Sequence, residues 1–481
     1  MPTLAATAMK ENFRIPLRGS GDLSADERDL IKYGHWRLEC PQMTLRSRGQ
    51  GPRKTYSGPG YIYQPLPGTL AFQLYPYRKQ QGFRSGWMDL AKTGELLPEE
   101  AYFDLVAIDQ AGRRWRSVRF VPDSIDRATS GKLVARGDLK EIATRGVLPR
   151  TLKVTGHTVG LQAFDKLDLP WNAVTVSRST IAKGRQRQRS NKYERNVWAF
   201  RCHGLDILVV QLSDRVSIEA YSRSEALHAN IAVRLREAME FVVGQSVSFE
   251  IVRTRRAFTI ETVVRRRDSA PHSARWQPPL AEAWLTVPGT NRMTSKHHRR
   301  LFERFLAHSL VSQNPTHSVS GQLAAIREAS AGRYIDAYAL TLCVAIESLL
   351  NTEGGHVRVS QVSKRDVRSL LAHVMQWRGP AAVRVRAHGA IAQLRQRRAT
   401  DILRSLVNKG ALTHDQQAAW QELRNRSAHQ YQSQPRGSDR LRELLSIVQV
   451  MFYHLVFHVI GYKGPYTDYS SVDWPTREYP S

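Results

Sequence analysis

The sequence predicts an α+β protein, with a β-rich N-terminal region followed by an all-α helical domain. Three observations predict it. Residues 1–267 alternate apolar and polar positions between Gly- and Pro-rich turns. Residues 268–290 hold Pro271, Pro278, Pro279 and Pro288, a linker composition. Residues 291–463 carry apolar residues at helical spacing instead. Residues 464–481, rich in Tyr, Pro and Asp, read as an irregular tail.

In the first region, Leu70–Tyr75 alternates as a strand does. Residues 101–108 and 115–121 read as a strand pair turning at Asp109–Arg113. Further strands are expected at 151–155, 197–202, 207–212 and 216–221. Ser222–Val242 suits a helix that Ser224 could cap, and 247–252 with 257–264 reads as a hairpin. A break near Pro149 or Pro170 would divide the region in two. In the second region the pattern predicts helices over 294–312, 319–331, 334–351, 364–377, 381–408, 414–429 and 439–461.

A chain of 481 residues is too long for one ordinary core. Its net charge of +28 favours a polyanionic partner, nucleic acid foremost. Residues 291–463 hold 25 Lys and Arg against 11 Asp and Glu, so no detachable tail carries the charge. Cys40, Cys202 and Cys343 are isolated in sequence, which argues against a zinc ribbon or disulfide framework and suits a reducing compartment. No metal and no cofactor is expected, and there is no phosphate-cradling loop or nucleophile elbow. The first residues lack a signal-peptide core. Leu444–Ile460 is apolar, but Gln449, His454 and His458 interrupt it at the lower length limit for a span; a buried core helix is expected rather than a membrane segment.

The chemistry concentrates in Trp420-Gln-Glu-Leu-Arg424-Asn425-Arg426-Ser-Ala-His429. On a helix Asn425 and His429 point within ~40° of each other, and Arg424, at ~140° from His429, can swing toward them. An imidazole moves a proton near neutral pH, and a guanidinium holds a phosphate as charge develops. Arg and His at this spacing also arise by chance in so basic a chain. Upstream, Glu347 is the only charge between Tyr338 and Leu350. A carboxylate there needs a partner. Arg424 is one candidate, making Glu347 an orienting residue; a structural salt bridge elsewhere is the alternative.

Two stretches carry a resemblance. Tyr338 to Asn351, with its Ile346-Glu347-Ser348-Leu349-Leu350 core, resembles the corresponding helix of Apea-like HEPN domains. Arg424-Asn425-x-x-x-His429, late in a helical domain and followed by a long apolar helix, resembles the HEPN ribonuclease signature. The resemblance covers about 170 residues, and the layout resembles the ApeA type of anti-phage protein. It implies a homodimer through the HEPN part with one composite, metal-independent site that cleaves RNA, host or phage with tRNA among the candidates, to a 2′,3′-cyclic phosphate and a 5′-hydroxyl. Arg424 and His429 would be catalytic, and Asn425 would orient or bind. A cytoplasmic role in abortive infection is implied, with a phage trigger meeting the N-terminal region. Weaker RNA contacts are expected at Arg426 and at a flexible basic loop holding Arg185, Arg187 and Arg189. The alternative is a non-catalytic RNA-binding or scaffold protein whose HEPN domain only dimerises.

Overall fold

The computed structural model describes residues 22–49, 54–77, 97–127, 133–147, 156–164, 167, 179–182, 185–188, 197–211, 215–223, 227–256, 258–267, 277–281, 292–314, 316–332, 334–353, 363–393, 399–429 and 438–480. The chain divides into two units, 1–236 with 247–269, and 237–246 with 270–481.

The first unit opens with helix α1 (Ala25–Tyr33). Ser24 accepts from the Glu27 amide while the Glu27 carboxylate accepts from the Ser24 amide, a reciprocal cap. Strands follow: β1 (Arg37–Ser47), β2 (Thr55–Tyr63), β3 (Ala71–Leu74), β4 (Phe103–Ile108), β5 (Arg114–Phe120), β6 (Ser124–Arg127), β7 (Leu133–Asp138), β8 (Glu141–Val147), β9 (His157–Ala163), β10 (Ser179–Ala182), β11 (Arg185–Gln188), β12 (Val197–Cys202), β13 (Leu205–Gln211) and β14 (Val216–Ser222). Helix α2 (Ile231–Val243) runs from the first unit into the second, and β15 (Ile251–Arg256) with β16 (Thr259–Arg265) completes the first. Among the described residues, fourteen strands form one sheet, ordered β12-β13-β14-β9-β15-β16-β8-β5-β4-β1-β2-β3-β7-β6, and every pairing is antiparallel.

The sheet curls. Phe72 on β3 and Phe120 on β5 stack edge to face at 5.4 Å between ring centroids. Four strand spacings of a flat sheet would separate them by about 19 Å. Inside the curl lie Leu38, Met43, Leu45, Ile62, Leu105, Trp115 and Ile142, with Trp36 against Trp115 at 5.7 Å. Two glycines make the tight β2 ladder possible: a Cβ at Gly58 would stand 1.9 Å from the Tyr75 carbonyl oxygen, and one at Gly60 2.1 Å from that of Gln73. One end of the core is held by a charge cluster. Arg113 donates to Asp109 at 2.7 Å and to Glu27, and the Trp115 indole donates to Asp109 at 3.0 Å.

The second unit holds α3 (Arg292–Val311), α4 (Ser318–Ala331), α5 (Ile335–Glu353), α6 (Lys364–Gln376), α7 (Ala381–Gln393), α8 (Ala399–Asn408), α9 (His414–His429) and α10 (Ser438–Ile460), then an antiparallel hairpin of β17 (Gly464–Thr467) and β18 (Thr476–Tyr479). Helix α5 is central, touching α4, α8, α9 and α10. Its inward stripe, Ala339, Leu342, Cys343, Ile346 and Leu349, is buried. Helix α10 is the one described helix long and apolar enough to cross a membrane, and most of its apolar stretch is buried in this unit.

The α+β class and the order of its two halves agree with the sequence reading. Several elements differ. The linker expected at 268–290 is anchored at 277–281: Tyr453 and Tyr469 donate to the Gln277 and Pro278 carbonyls, and Leu280 is buried. The irregular tail is a hairpin packed on α10, with Tyr466 and Tyr479 against His454. The long helix 381–408 is two helices, α7 and α8. The helix expected from Ser222 begins at Ile231; Ser224 and the strand at 151–155 lie outside the described residues.

Candidate active site

Helix α9 begins with a cap that also reaches another helix. The Gln416 amide donates to the Thr413 hydroxyl at 3.2 Å, and the Gln416 side chain accepts from the Thr413 amide at 3.1 Å. The Gln416 side-chain nitrogen also meets His454 Nδ1 on α10 at 3.1 Å. This fixes the rotation of α9. Ala419, Trp420 and Leu423 face inward, while Glu422, Arg424 and Asn425 face out.

The two sequence stretches that carry the resemblance meet here. Arg424 Nε donates to Glu347 Oε1 across the α5–α9 contact. The guanidinium carbon lies 5.7 Å from the Trp420 ring centroid, so a buried indole and a carboxylate together hold it. The Arg424 side chain is still 52% exposed, and that of Glu347 31%. An arginine has five N–H donors and this one spends one on Glu347, leaving donors for an anion. Below the pair, burial and the Glu347 charge push the Cys343 thiol up to about 12, so it is no nucleophile at neutral pH. Leu340 and Val344 continue Glu347's face of α5, and are 47% and 54% exposed.

Asn425 is exposed beside Arg424. Arg426 is half-buried, and its charge helps hold the Glu422 carboxyl below its ordinary value, after the larger effect of the Arg440 hydrogen bond. Arg440 bridges Glu422 at 2.7 Å and Glu443 at 2.8 Å, tying α9 to the first turn of α10. Helix α9 continues through His429, one turn beyond Asn425; the His429 side chain lies outside the described residues. Arg185 and Arg187 stand on β11, paired with β10, where a flexible loop was expected; their side chains and all of Arg189 lie outside the described residues.

Sequence reasoning assigned no role to Trp420, Gln416 or the Arg440 bridge. The Trp420 signal was its position four residues before Arg424, one turn beneath it on the helix. His454 is a core histidine: burial holds it down to about 4 from 6.5, against a pull upward by Asp468. No group of three or more potential metal ligands occurs among the described residues.

No family model, no curated protein and no solved structure matches this chain.

Proposed function

We propose that the helical unit is a HEPN-type, metal-independent endoribonuclease, and that the protein acts in bacterial anti-phage defence by damaging host or phage RNA in the cytoplasm. One observation carries this reading. Two stretches that resemble HEPN domains, 77 residues apart between Glu347 and Arg424, converge on a single ion pair at the surface of the unit.

The chemistry follows from the side chains. The 2′-oxygen of the substrate ribose attacks the adjacent phosphorus, and the bond from phosphorus to the 5′-oxygen breaks. His429 handles the proton that leaves the 2′-hydroxyl or the one that the departing 5′-oxygen takes up. Arg424, held by Glu347 and Trp420, stabilises the charge that builds on the phosphate oxygens. Asn425 orients the substrate or His429. The products are a 2′,3′-cyclic phosphate and a 5′-hydroxyl. A second copy of the chain, docking through the face that Leu340 and Val344 leave exposed, supplies the other half of the composite site. The N-terminal unit meets the phage trigger.

The test is cleavage of RNA by the purified protein, with capture of 5′-hydroxyl ends. His429→Ala should lower the rate by about 10²–10⁴-fold with the helical content unchanged. Arg424→Lys should rescue only part of the Arg424→Ala loss, because an ammonium lacks the planar fork. Asn425→Ala should fall between these and the wild type, and EDTA should have no effect. A folded, fully active His429→Ala protein refutes the mechanism.

A further inference from the structure

The N-terminal unit carries a basic groove that the sequence reading did not single out. Strands β1, β4 and β5 are neighbours, and their outward residues line a groove of about 370 Å³: Thr44, Arg46, Asp104, Val106, Arg114 and Arg116. Arg114 and Arg116 project from alternate positions of β5, about 7 Å apart along the strand. Arg46 sits opposite Asp104, on the far side of the Val106 floor.

The charges are unbalanced. Asp104 is already engaged by Arg48 at 2.8 Å, by the Arg119 amide at 3.0 Å and by Arg116 at 3.7 Å. Among the described residues Arg46 and Arg114 make no ion pair, while their neighbours Arg48 and Arg116 do. A bulge between Phe103 and Leu105 adds to the site: Arg119 takes a left-handed φ of 54°, and its amide turns to Asp104. Two cations that make no ion pair among the described residues and a third only loosely paired, converging on one open trough, complement a chain of phosphates more than a single small anion.

We propose that this groove binds the phosphate backbone of single-stranded RNA. The choice of RNA as the polyanion rests on the ribonuclease reading above; the basic groove stands without it. The Thr44 hydroxyl and the Asp104 carboxylate on its floor are acceptors that a ribose 2′-hydroxyl can use and deoxyribose cannot. The N-terminal unit thereby contributes to substrate capture as well as carrying the trigger surface.

The test is fluorescence anisotropy with a labelled single-stranded RNA and the full chain carrying His429→Ala, so that the probe stays intact. The groove variant is Arg46→Ala/Arg114→Ala/Arg116→Ala. The control, Arg201→Ala/Arg223→Ala/Arg256→Ala, removes the same charge from exposed positions elsewhere in the unit. Losing three phosphate contacts should lower the slope of log affinity against log salt by about 2. Between about 50 and 200 mM salt the control should then weaken roughly 20-fold more than the groove variant. DNA of the same sequence should bind more weakly than RNA. Equal losses in the groove and control variants overturn the proposal, since net charge alone would then suffice. Equal affinity for RNA and DNA overturns the choice of RNA. Binding of poly-glutamate through the groove arginines, with no groove-dependent RNA binding, overturns it in favour of an acidic protein. Because binding is read without cleavage, a failed ribonuclease assay leaves this result readable.

Discussion

Glu347→Gln separates two roles that a carboxylate beside an arginine can have. The change keeps the shape of the side chain and removes its charge. Glu347 and Arg424 are 31% and 52% exposed, so solvent screens their attraction, and such pairs contribute about 0.2–1 kcal/mol. For a unit of this size that is a fall in Tm of no more than about 4 °C. The catalytic consequence is larger. The guanidinium would keep Trp420 but lose the partner that fixes its swing, and a misplacement of about 1 Å costs up to about 10²-fold in rate. On the proposed mechanism the loss should fall on kcat more than on KM, because Arg424 would act most as charge develops on the phosphate. Glu347→Gln combined with Arg424→Ala should be no worse than Arg424→Ala alone. The assays are single-turnover RNA cleavage and chemical denaturation on the same preparations. A loss of stability above about 3 kcal/mol would mark the pair as a buried structural tie. Unchanged cleavage in a folded Glu347→Gln protein would end the positioning role.

Three other outcomes are expected. Burial keeps His454 neutral down to about pH 4 in the fold, whereas the unfolded chain takes its proton near 6.5; the helical unit should therefore hold full stability above 6.5 and lose roughly 3 kcal/mol as pH falls toward 4. His454→Leu should flatten that fall in denaturation midpoints, and an equal fall in both proteins refutes the assignment. Arg113→Ala strips the partner from buried Asp109 and from Glu27, whose carboxyl burial pushes up and the Arg113 and Ser24 hydrogen bonds bring below its ordinary value; the N-terminal unit should lose about 3–5 kcal/mol by denaturant titration. Leu340→Asp with Val344→Asp should leave a folded monomer by light scattering and abolish cleavage, and an active monomer refutes the composite site.

The helices were legible because their apolar content is long and continuous: α5 keeps a buried stripe from Ala339 to Leu350, about three turns, and α10 is buried at every position from Val448 to Phe457. The need of Glu347 for a partner was legible for a chemical reason, since a lone carboxylate on an apolar helix needs a cation; Arg424 was one of two partners the sequence left open, and it is the one that meets Glu347. Strand β1 was not legible. Its inward residues Leu38, Cys40, Met43 and Leu45 are apolar, but a register shift between Cys40 and Met43 breaks the two-residue period. Strand β2 was hidden because Gly58 and Gly60 stand where large apolar residues would have announced it. The groove was hidden for another reason. Arg114 and Arg116 flank buried Trp115, a visible alternation, but Arg46 joins them only through the pairing of β1 with β4.

The sheet order sets a schedule for synthesis. Strands β1 to β8 pair among themselves within residues 37–147, and β8 meets β5 through only two residue pairs. The other edge of β8 waits for β16, whose Thr259 lies opposite Val147, about 110 residues later. At roughly 5–20 residues per second the ribosome needs about 6 to 22 s to deliver it. Through that interval β8 is an open template for any passing strand, guarded by the charges of Glu141 and Arg145. Glu141 later closes on Arg265 of β16 at 2.9 Å. The residue that discourages wrong neighbours while the nascent chain waits is thus one that receives the right neighbour when it comes.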